Sequence, residues 1–378
     1  MAAKKKKKVI KSIDQPYKFR RRYRYLDFLI KKERNFLLFI ALAFVIIGIA
    51  YPYPRVAMWI GFAFAGYSAI ANDSIQTIGT FIASNLKRPW WVLWLFMGGI
   101  FLVTTYYSWY TFSGDVTYQR LASKGLNETP TSFVYLQLAA PVVLLILTRF
   151  RIPVSTTFML LSVFSGTSST IMAMFTKSAL GYAVSFVVAM AVWIALSKII
   201  RRAVKGEAHG SWLIAQWLIS GALWGIWLMQ DAANIAVYLP RQLSFGEYIA
   251  FASYIFIGLG LLFYLRGDRI QNVINEKTDT KDVRSATLID SVYATVLFFF
   301  GTISTIPMST TWVFIGLLAG RELGIKIMSD KKKKNFGRTF QLIIRDISSV
   351  TVGLIISVAL AIAINPTIQK EIADWLAQ

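Results

Sequence analysis

Residues 152–157 read Ile-Pro-Val-Ser-Thr-Thr, and residues 306–311 read Ile-Pro-Met-Ser-Thr-Thr. A second pair of matching stretches lies upstream, at residues 72–76 (Asn-Asp-Ser-Ile-Gln) and 230–234 (Gln-Asp-Ala-Ala-Asn). In both upstream stretches an amide precedes an aspartate and another amide follows it three positions later. The order and spacing of the stretches match in the two halves of the chain. They predict that the chain contains two copies of one structural unit.

The composition indicates a membrane protein. Of the 378 residues, 56% are hydrophobic and 16% are charged, and the mean hydropathy is +0.53. A soluble protein usually carries about 25% charged residues. Apolar runs of the ~20 residues that span a bilayer recur along the chain. There is no cysteine and one histidine, which excludes a disulfide scaffold and disfavours zinc and His/Cys catalytic centres. We therefore expect no cofactor.

Lysine and arginine in the short loops predict the topology, because positive loops stay on the cytoplasmic side. Each half then contains three full crossings and one hairpin that enters and leaves on the same face. With an extra N-terminal helix, this predicts an all-α polytopic membrane protein with about seven full crossings, two re-entrant helical hairpins and two inverted repeats. The N-terminus lies inside and the C-terminus outside. The predicted parts are a basic cytoplasmic segment (1–34), an extra transmembrane helix (35–54), repeat 1 (55–205), repeat 2 (206–365) and a tail (366–378).

The N-terminal segment carries 14 of the 41 lysines and arginines within residues 1–34. A run of this kind can bind nucleic acid or anionic lipid. Because it directly precedes an apolar stretch, we interpret it as a lipid anchor, worth about 1 kcal/mol per basic residue near the surface. We expect no nucleic-acid partner.

Asp73 and Asp231 each stand inside an apolar segment. An aspartate at the centre of a membrane helix costs roughly 2.5–3.5 kcal/mol on insertion scales. Such a residue either bonds a neighbouring helix or serves a binding site. One aspartate in each copy, with amides on the same helical face, favours the binding site.

The two Ile-Pro-x-Ser-Thr-Thr stretches fall at the tips of the predicted hairpins. Proline, serine and threonine favour helix starts. Each tip is therefore expected to open a short helix, with free backbone N–H groups and the positive end of the dipole near the midplane. Hydroxyl donors twice at hairpin tips predict a cage for an oxyanion. The candidate donors are Ser155, Thr156, Thr157, Ser309, Thr310 and Thr311.

These residues resemble the inorganic phosphate transporter family of sodium- or proton-coupled permeases. That family carries a Gly-Ala-Asn-Asp-Val-Ala-Asn-type motif and a Pro-x-Ser-Thr-Thr-His-type hairpin in each of two inverted repeats. The resemblance covers residues 55–365 and implies phosphate held between the hairpin tips and the aspartate helices, in a homodimer. It implies that Asp73 and Asp231 contact the anion directly or through a cation. It also implies that four amides orient the substrate or bind the cation: Asn72, Gln76, Gln230 and Asn234. If the cation is sodium, the implied ligands are Asp73, Asp231 and Asn234.

The chain departs from the family pattern at five positions. Ile70 stands where the family has the glycine before Ala-Asn-Asp, and Gln76 and Gln230 stand where it has asparagine. Phe158 and Trp312 stand where the family has a histidine after Ser-Thr-Thr. The hydroxyl cage is retained, whereas positions implied for the cation differ. Sodium and the proton both remain open as the coupling cation.

The sequence therefore predicts import of inorganic phosphate with sodium or protons, by alternating access in the cell membrane. Phosphate keeps a proton that it can donate to an aspartate, whereas sulfate has none and meets repulsion. One alternative is a permease for another oxyanion such as sulfate; a second is a membrane sensor that binds the anion without moving it. An intramembrane Ser/Thr enzyme is disfavoured because no histidine or lysine base accompanies the motifs. Asp290, on the first limb of the second hairpin, is expected to join a cation path or to cap the helix at the interface.

Overall fold

The computed structural model describes residues 16–124, 126–150, 152, 154–203, 208–266, 282–303, 308–328 and 336–376. Within these ranges all regular structure is helical, which confirms the predicted all-α class. The helices are α1 (Pro16–Ala50), α2 (Pro54–Ser84), α3 (Trp90–Thr111), α4 (Tyr135–Arg149), α5 (Ser168–Ala203), α6 (Gly210–Ala236), α7 (Phe245–Tyr264), α8 (Val283–Ile303), α9 (Thr310–Ile327), α10 (Phe336–Ile364) and α11 (Pro366–Leu376).

The chain divides into two compact units, Met1–Ile46 and Ile47–Gln378. In the first unit the described part is the beginning of α1, which starts at Pro16, well before the predicted boundary at residue 35. Proline is favoured in a first helical turn because it has no N–H to leave unpaired. The lysine run at residues 4–8 lies outside the described residues. The second unit contains α2 to α11 and all the predicted site residues.

Seven of the described helices are long and apolar enough to cross a membrane. The number agrees with the prediction, but the set of helices differs. The 31-residue α2 falls outside the set because polar residues around Asp73 interrupt its apolar sequence. Val283–Gly301 of α8, which we predicted as a hairpin limb, falls inside it. Length and apolar composition alone do not separate a crossing from a hairpin limb in this chain.

Packing partners in the second unit correspond between the two halves of the sequence. Helix α2 packs against α4, and α6 packs against α8 in the same way. Helix α7 packs against α2, and α3 against α6. Helix α9 packs along α5, whereas α10 packs against the short helical segments between residues 157 and 164. The two aspartate helices α2 and α6 contact each other, which brings the two candidate half-sites together.

A row of glycines lets α9 approach α5 closely. Gly316, Gly320 and Gly324 recur every fourth residue on α9. A Cβ atom at Gly320 would overlap the carbonyl oxygen of Phe186, and one at Gly316 would overlap that of Tyr182. Small residues at this spacing are a common way for membrane helices to bring their backbones into contact. The seam fixes the position of α9 and of the hairpin tip that begins it.

The first hairpin differs from our prediction. The second tip does open an α-helix, but the first tip continues as a π-helical turn, Thr157–Leu161, and a 3-10 turn, Ser162–Phe164. The sequence predicts two separate apolar segments, Pro153–Met174 and Ala179–Ile200, but this division is wrong, because α5 runs unbroken from Ser168 to Ala203. The polar Ser178 within α5 does not end the helix, since its hydroxyl donates to the carbonyl oxygen of Met174 at 2.7 Å.

Candidate functional site

The first half-site consists of Asp73 and Asn72 on α2 with Thr156 from the first tip. Asp73 is 1% exposed, and it accepts hydrogen bonds from the Thr156 hydroxyl and from the Asn72 amide, the latter at 2.8 Å. The same amide donates to the carbonyl oxygen of Val154 at 3.2 Å. Asn72 therefore holds the aspartate and the hairpin tip in one arrangement.

The second half-site consists of Asp231 and Asn234 on α6 with Thr310 from the second tip. Asp231 is 2% exposed and accepts from the Thr310 hydroxyl at 2.7 Å and from the Asn234 amide at 3.1 Å. The Thr310 hydroxyl in turn accepts from the indole N–H of Trp227 at 3.3 Å. In both half-sites the first threonine of the Ser-Thr-Thr stretch donates its hydroxyl hydrogen to the aspartate of the same half.

The two tips also bond to each other in a reciprocal way. The Thr157 hydroxyl donates to the carbonyl oxygen of Met308, and the Thr311 hydroxyl donates to that of Val154, both at 3.4 Å. A further bond joins the halves, from the Asn234 amide to the Thr157 hydroxyl at 3.3 Å. The two half-sites therefore form one cluster.

The serine of each tip acts on its own backbone. Ser155 accepts from the N–H of Phe158, and Ser309 from that of Trp312, both at 3.2 Å. For Ser309 this is the N-cap of α9, and the cap satisfies one of the free N–H groups at a helix start. The rings of Phe158 and Trp312 lie 5.9 Å apart. The two positions at which the family has histidine thus lie next to each other beside the cluster.

The four amides behave differently in the two halves. In the first half the amide before the aspartate, Asn72, holds it; in the second half the amide after it, Asn234, does so. Gln230 donates instead to the carbonyl oxygen of Leu297 on α8 at 2.8 Å. Of the predicted cation residues, the structure therefore brings Asn72 and Asn234 onto the aspartates, and Gln230 onto a neighbouring helix.

Within the part of the chain that the structure describes, two amide oxygens of predicted site residues have no hydrogen-bond donor. They are Oδ1 of Asn234 and Oε1 of Gln76, and both atoms are buried. A buried carbonyl oxygen without a partner is costly, and oxygens of this kind are the ligands that hard cations prefer. Asp73 and Asp231 also belong to one hydrogen-bonded cluster, and two carboxylates in one site favour a cation beside them. These oxygens are the groups of the predicted site that could hold a cation.

Two basic residues near the cluster were not predicted from the sequence. Arg120, from the loop after α3, donates to the carbonyl oxygens of Met229 and Gly301, both at 3.1 Å. Burial lowers the pKa of Arg120, and the nearby Asp231 opposes that shift. Lys177 on α5 is 9% exposed, and its ammonium group lies near enough to the Arg120 guanidinium for the two charges to repel each other. A lysine inside an apolar helix was a signal for Lys177; nothing in the sequence marked Arg120.

The fold is shared with a transporter of known structure. A solved structure described as the sodium-dependent phosphate transporter matches with a TM-score of 0.53 and 16% sequence identity, over 82% of this chain and 96% of that chain. The chain has the fold of that transporter. It is a multi-pass membrane fold, and the match confirms at the level of the fold the resemblance seen in the sequence. No protein-family model and no curated protein sequence matches the chain.

Proposed function

We propose that the protein imports inorganic phosphate together with sodium or a proton. The observation that carries the proposal is the joined pair of half-sites, in which Thr156 and Thr310 bond Asp73 and Asp231. The shared fold supports it. In a loaded site the hydroxyls donate to phosphate oxygens, and an ionised aspartate accepts the proton that phosphate keeps near neutral pH. Sulfate lacks that proton, so the aspartates disfavour it.

Alternating access is the second part of the proposal. Its support is that every predicted substrate residue is buried; the most exposed of them, Ser155, is 5% exposed. Phosphate can therefore enter the site from either side only if helices move. The correspondence of packing partners in the two halves supports inverted repeats, which rock around a central site in many transporters. The basic loops support an N-terminus inside and a C-terminus outside, in the cell membrane. We include in the proposal a homodimer and an anionic-lipid contact for residues 1–34.

A coupling cation is required by energetics. Moving one negative charge inward against 100 mV costs about 2.3 kcal/mol. Monovalent phosphate entering alone would be held about fiftyfold below its outside concentration. At least two positive charges per anion reverse that balance. The unpartnered oxygens of Asn234 and Gln76 and the two repelling carboxylates support sodium or protons in this role.

Uptake of labelled phosphate into proteoliposomes tests the proposal. Sodium and proton gradients are applied separately, with unlabelled arsenate or sulfate as competitor. We expect gradient-driven uptake that arsenate inhibits and sulfate does not, and that is lost in Asp231→Asn. Uptake inhibited equally by sulfate would favour a permease for another oxyanion. Binding of phosphate without uptake would favour a sensor, and absence of both would contradict the proposal.

A further inference from the structure

A third buried aspartate, Asp290 on α8, stands apart from the phosphate cluster. It is 1% exposed. Its Oδ1 accepts from the Thr80 hydroxyl and its Oδ2 from the Ser220 hydroxyl, both at 2.6 Å. Thr80 belongs to α2 and Ser220 to α6. The carboxylate therefore joins three helices, two of which carry the half-site aspartates, and the predicted alternative of an interfacial helix cap is wrong, because Asp290 is buried inside α8.

The hydrogen bonds on Asp290 come from neutral donors. Ionising such a carboxylate away from water is costly unless a cation compensates it. Several charged or titratable side chains lie on α8 and on the elements packed against it. The buried or half-buried ones include Asp73 on α2, Asp231 on α6, Lys177 and Tyr182 on α5, Arg321 and Glu322 on α9, Tyr293 and Arg284 on α8, and Arg120, which donates to the carbonyl oxygen of Gly301 on α8. Arg321 and Glu322 form an ion pair with each other, as do Arg284 and Asp282, so these groups do not supply Asp290 with a bonded counter-charge.

We propose that Asp290, Thr80 and Ser220 form a second cation site, separate from the phosphate cluster, and that the cation is a proton. The geometry fits a proton better than sodium. Each carboxylate oxygen accepts from a hydroxyl oxygen 2.6 Å away, so a proton added to one carboxylate oxygen makes it the donor and its hydroxyl the acceptor, and neither oxygen has to move. Oxygens that share a metal ion stand further apart, so sodium would require the hydroxyls to move away from the carboxylate.

The site connects to the phosphate cluster through Tyr293. This residue follows Asp290 by one helical turn, and its hydroxyl donates to the carbonyl oxygen of Thr310 at 3.0 Å. An ionised Asp290 holds both hydroxyls by charge-assisted bonds, which are about twice as strong as neutral ones. Protonation weakens that hold on α2 and α6. The proton thereby eases the movement of the two half-sites, a consequence that rests on the proposed transport function.

Transport measurements on Asp290→Asn test this site. The variant is close in shape but cannot bind the proton, and Asp374→Asn, at an exposed position of α11, is the matched control. We expect the variant to accumulate at least about tenfold less phosphate than the original protein when a proton gradient drives uptake. Exchange of phosphate for phosphate, which needs no net cation movement, should stay within about twofold of the original protein. Accumulation equal to that of the original protein would overturn the proposal.

Infrared titration of the purified protein decides the site independently of transport. A protonated carboxyl group has a C=O band of its own, and we expect one such band to disappear in Asp290→Asn but not in Asp374→Asn. Ser220→Ala should shift this band, whereas Ser220→Thr, which keeps the hydroxyl, should shift it less. An unchanged set of bands in Asp290→Asn, or removal of the band by sodium at constant pH, overturns the proton site. If the band is present and phosphate is neither bound nor moved, the transport function fails and the proton site stands.

Discussion

The two hairpin tips have the same Ser-Thr-Thr sequence and make matching hydrogen bonds, yet their backbones differ. The second tip opens a regular α-helix, capped by Ser309 and fixed to α5 by the glycine seam at Gly316 and Gly320. The first tip continues as π-helical and 3-10 turns, Thr157–Leu161 and Ser162–Phe164. No glycine occurs between residues 154 and 164, so no comparable seam forms. The motif fixes where the hydroxyls lie, and the neighbouring helix fixes the backbone behind them.

The difference suggests a division of labour between the halves. A π-helical turn is frequent at functional sites and is less regularly bonded than an α-helix. We therefore expect the first tip to change its backbone as substrate enters, and the second tip to stay fixed. The amides differ as well, since Gln230 bonds the backbone of α8 whereas Asn72 bonds the first tip itself. Variants at matched positions separate the properties that the halves share from those that they do not.

The largest effect is expected at the aspartates, where the halves are equal. Asp73→Asn and Asp231→Asn should each reduce phosphate uptake by on the order of a hundredfold, because each change removes a buried, hydrogen-bonded charge. Initial rates in proteoliposomes measure the effect, with Asp374→Asn as control. A variant with nearly full uptake at only one aspartate would show that a single half-site is sufficient.

The next effect is expected in the glycine seam, which only the second tip has. Gly320→Ala places a methyl group against the backbone of Phe186, and overpacking of this kind costs about 1–3 kcal/mol. The thermal midpoint in detergent should fall. Gly99→Ala is the matched control, because nothing lies within 4 Å of a Cβ atom there, and it should leave the midpoint unchanged or higher. Equal midpoints for the two variants would remove the seam as the support of the second tip.

The middle threonines should differ in stability while agreeing in function. Thr156→Val and Thr310→Val each remove a hydroxyl from an aspartate, so phosphate affinity should fall about tenfold in both. Thr310→Val also leaves the buried indole N–H of Trp227 without its acceptor, a loss of about 1–3 kcal/mol. Its thermal midpoint should be the lower of the two. Serine at either position restores the hydroxyl and should restore affinity.

The smallest effect is expected from the reciprocal bonds between the tips. Thr157→Val and Thr311→Val each remove one long hydrogen bond of 3.4 Å, worth about 0.5–1.5 kcal/mol. Uptake should fall by less than about tenfold in both. Because Thr157 also accepts from Asn234, its variant should be the more affected. The opposite order would mean that the first tip does not depend on this contact.

Much of this arrangement was predictable from the sequence, because it is local or repeated. The aspartates, the threonines and the cap at Ser309 follow from residue types at matched spacing. The bond that joins Ser178 of α5 to the second tip, from the N–H of Ser309 at 2.8 Å, was not predicted, because the two residues are distant in the chain. Arg120 was not predicted for the same reason, and the π-helical turn depends on how the first tip packs against α10. The sequence shows which polar groups need partners, but not which distant groups provide them.

Equilibrium binding of labelled phosphate tests most directly whether the two half-sites hold one anion. The original protein, Thr156→Val, Thr310→Val and the double variant are compared in one cycle. We predict one phosphate per chain, weaker binding in both single variants, and a loss in the double variant that differs from the sum of the single losses by at least about 0.5 kcal/mol. Two phosphates per chain, or strictly additive losses, would contradict a shared site.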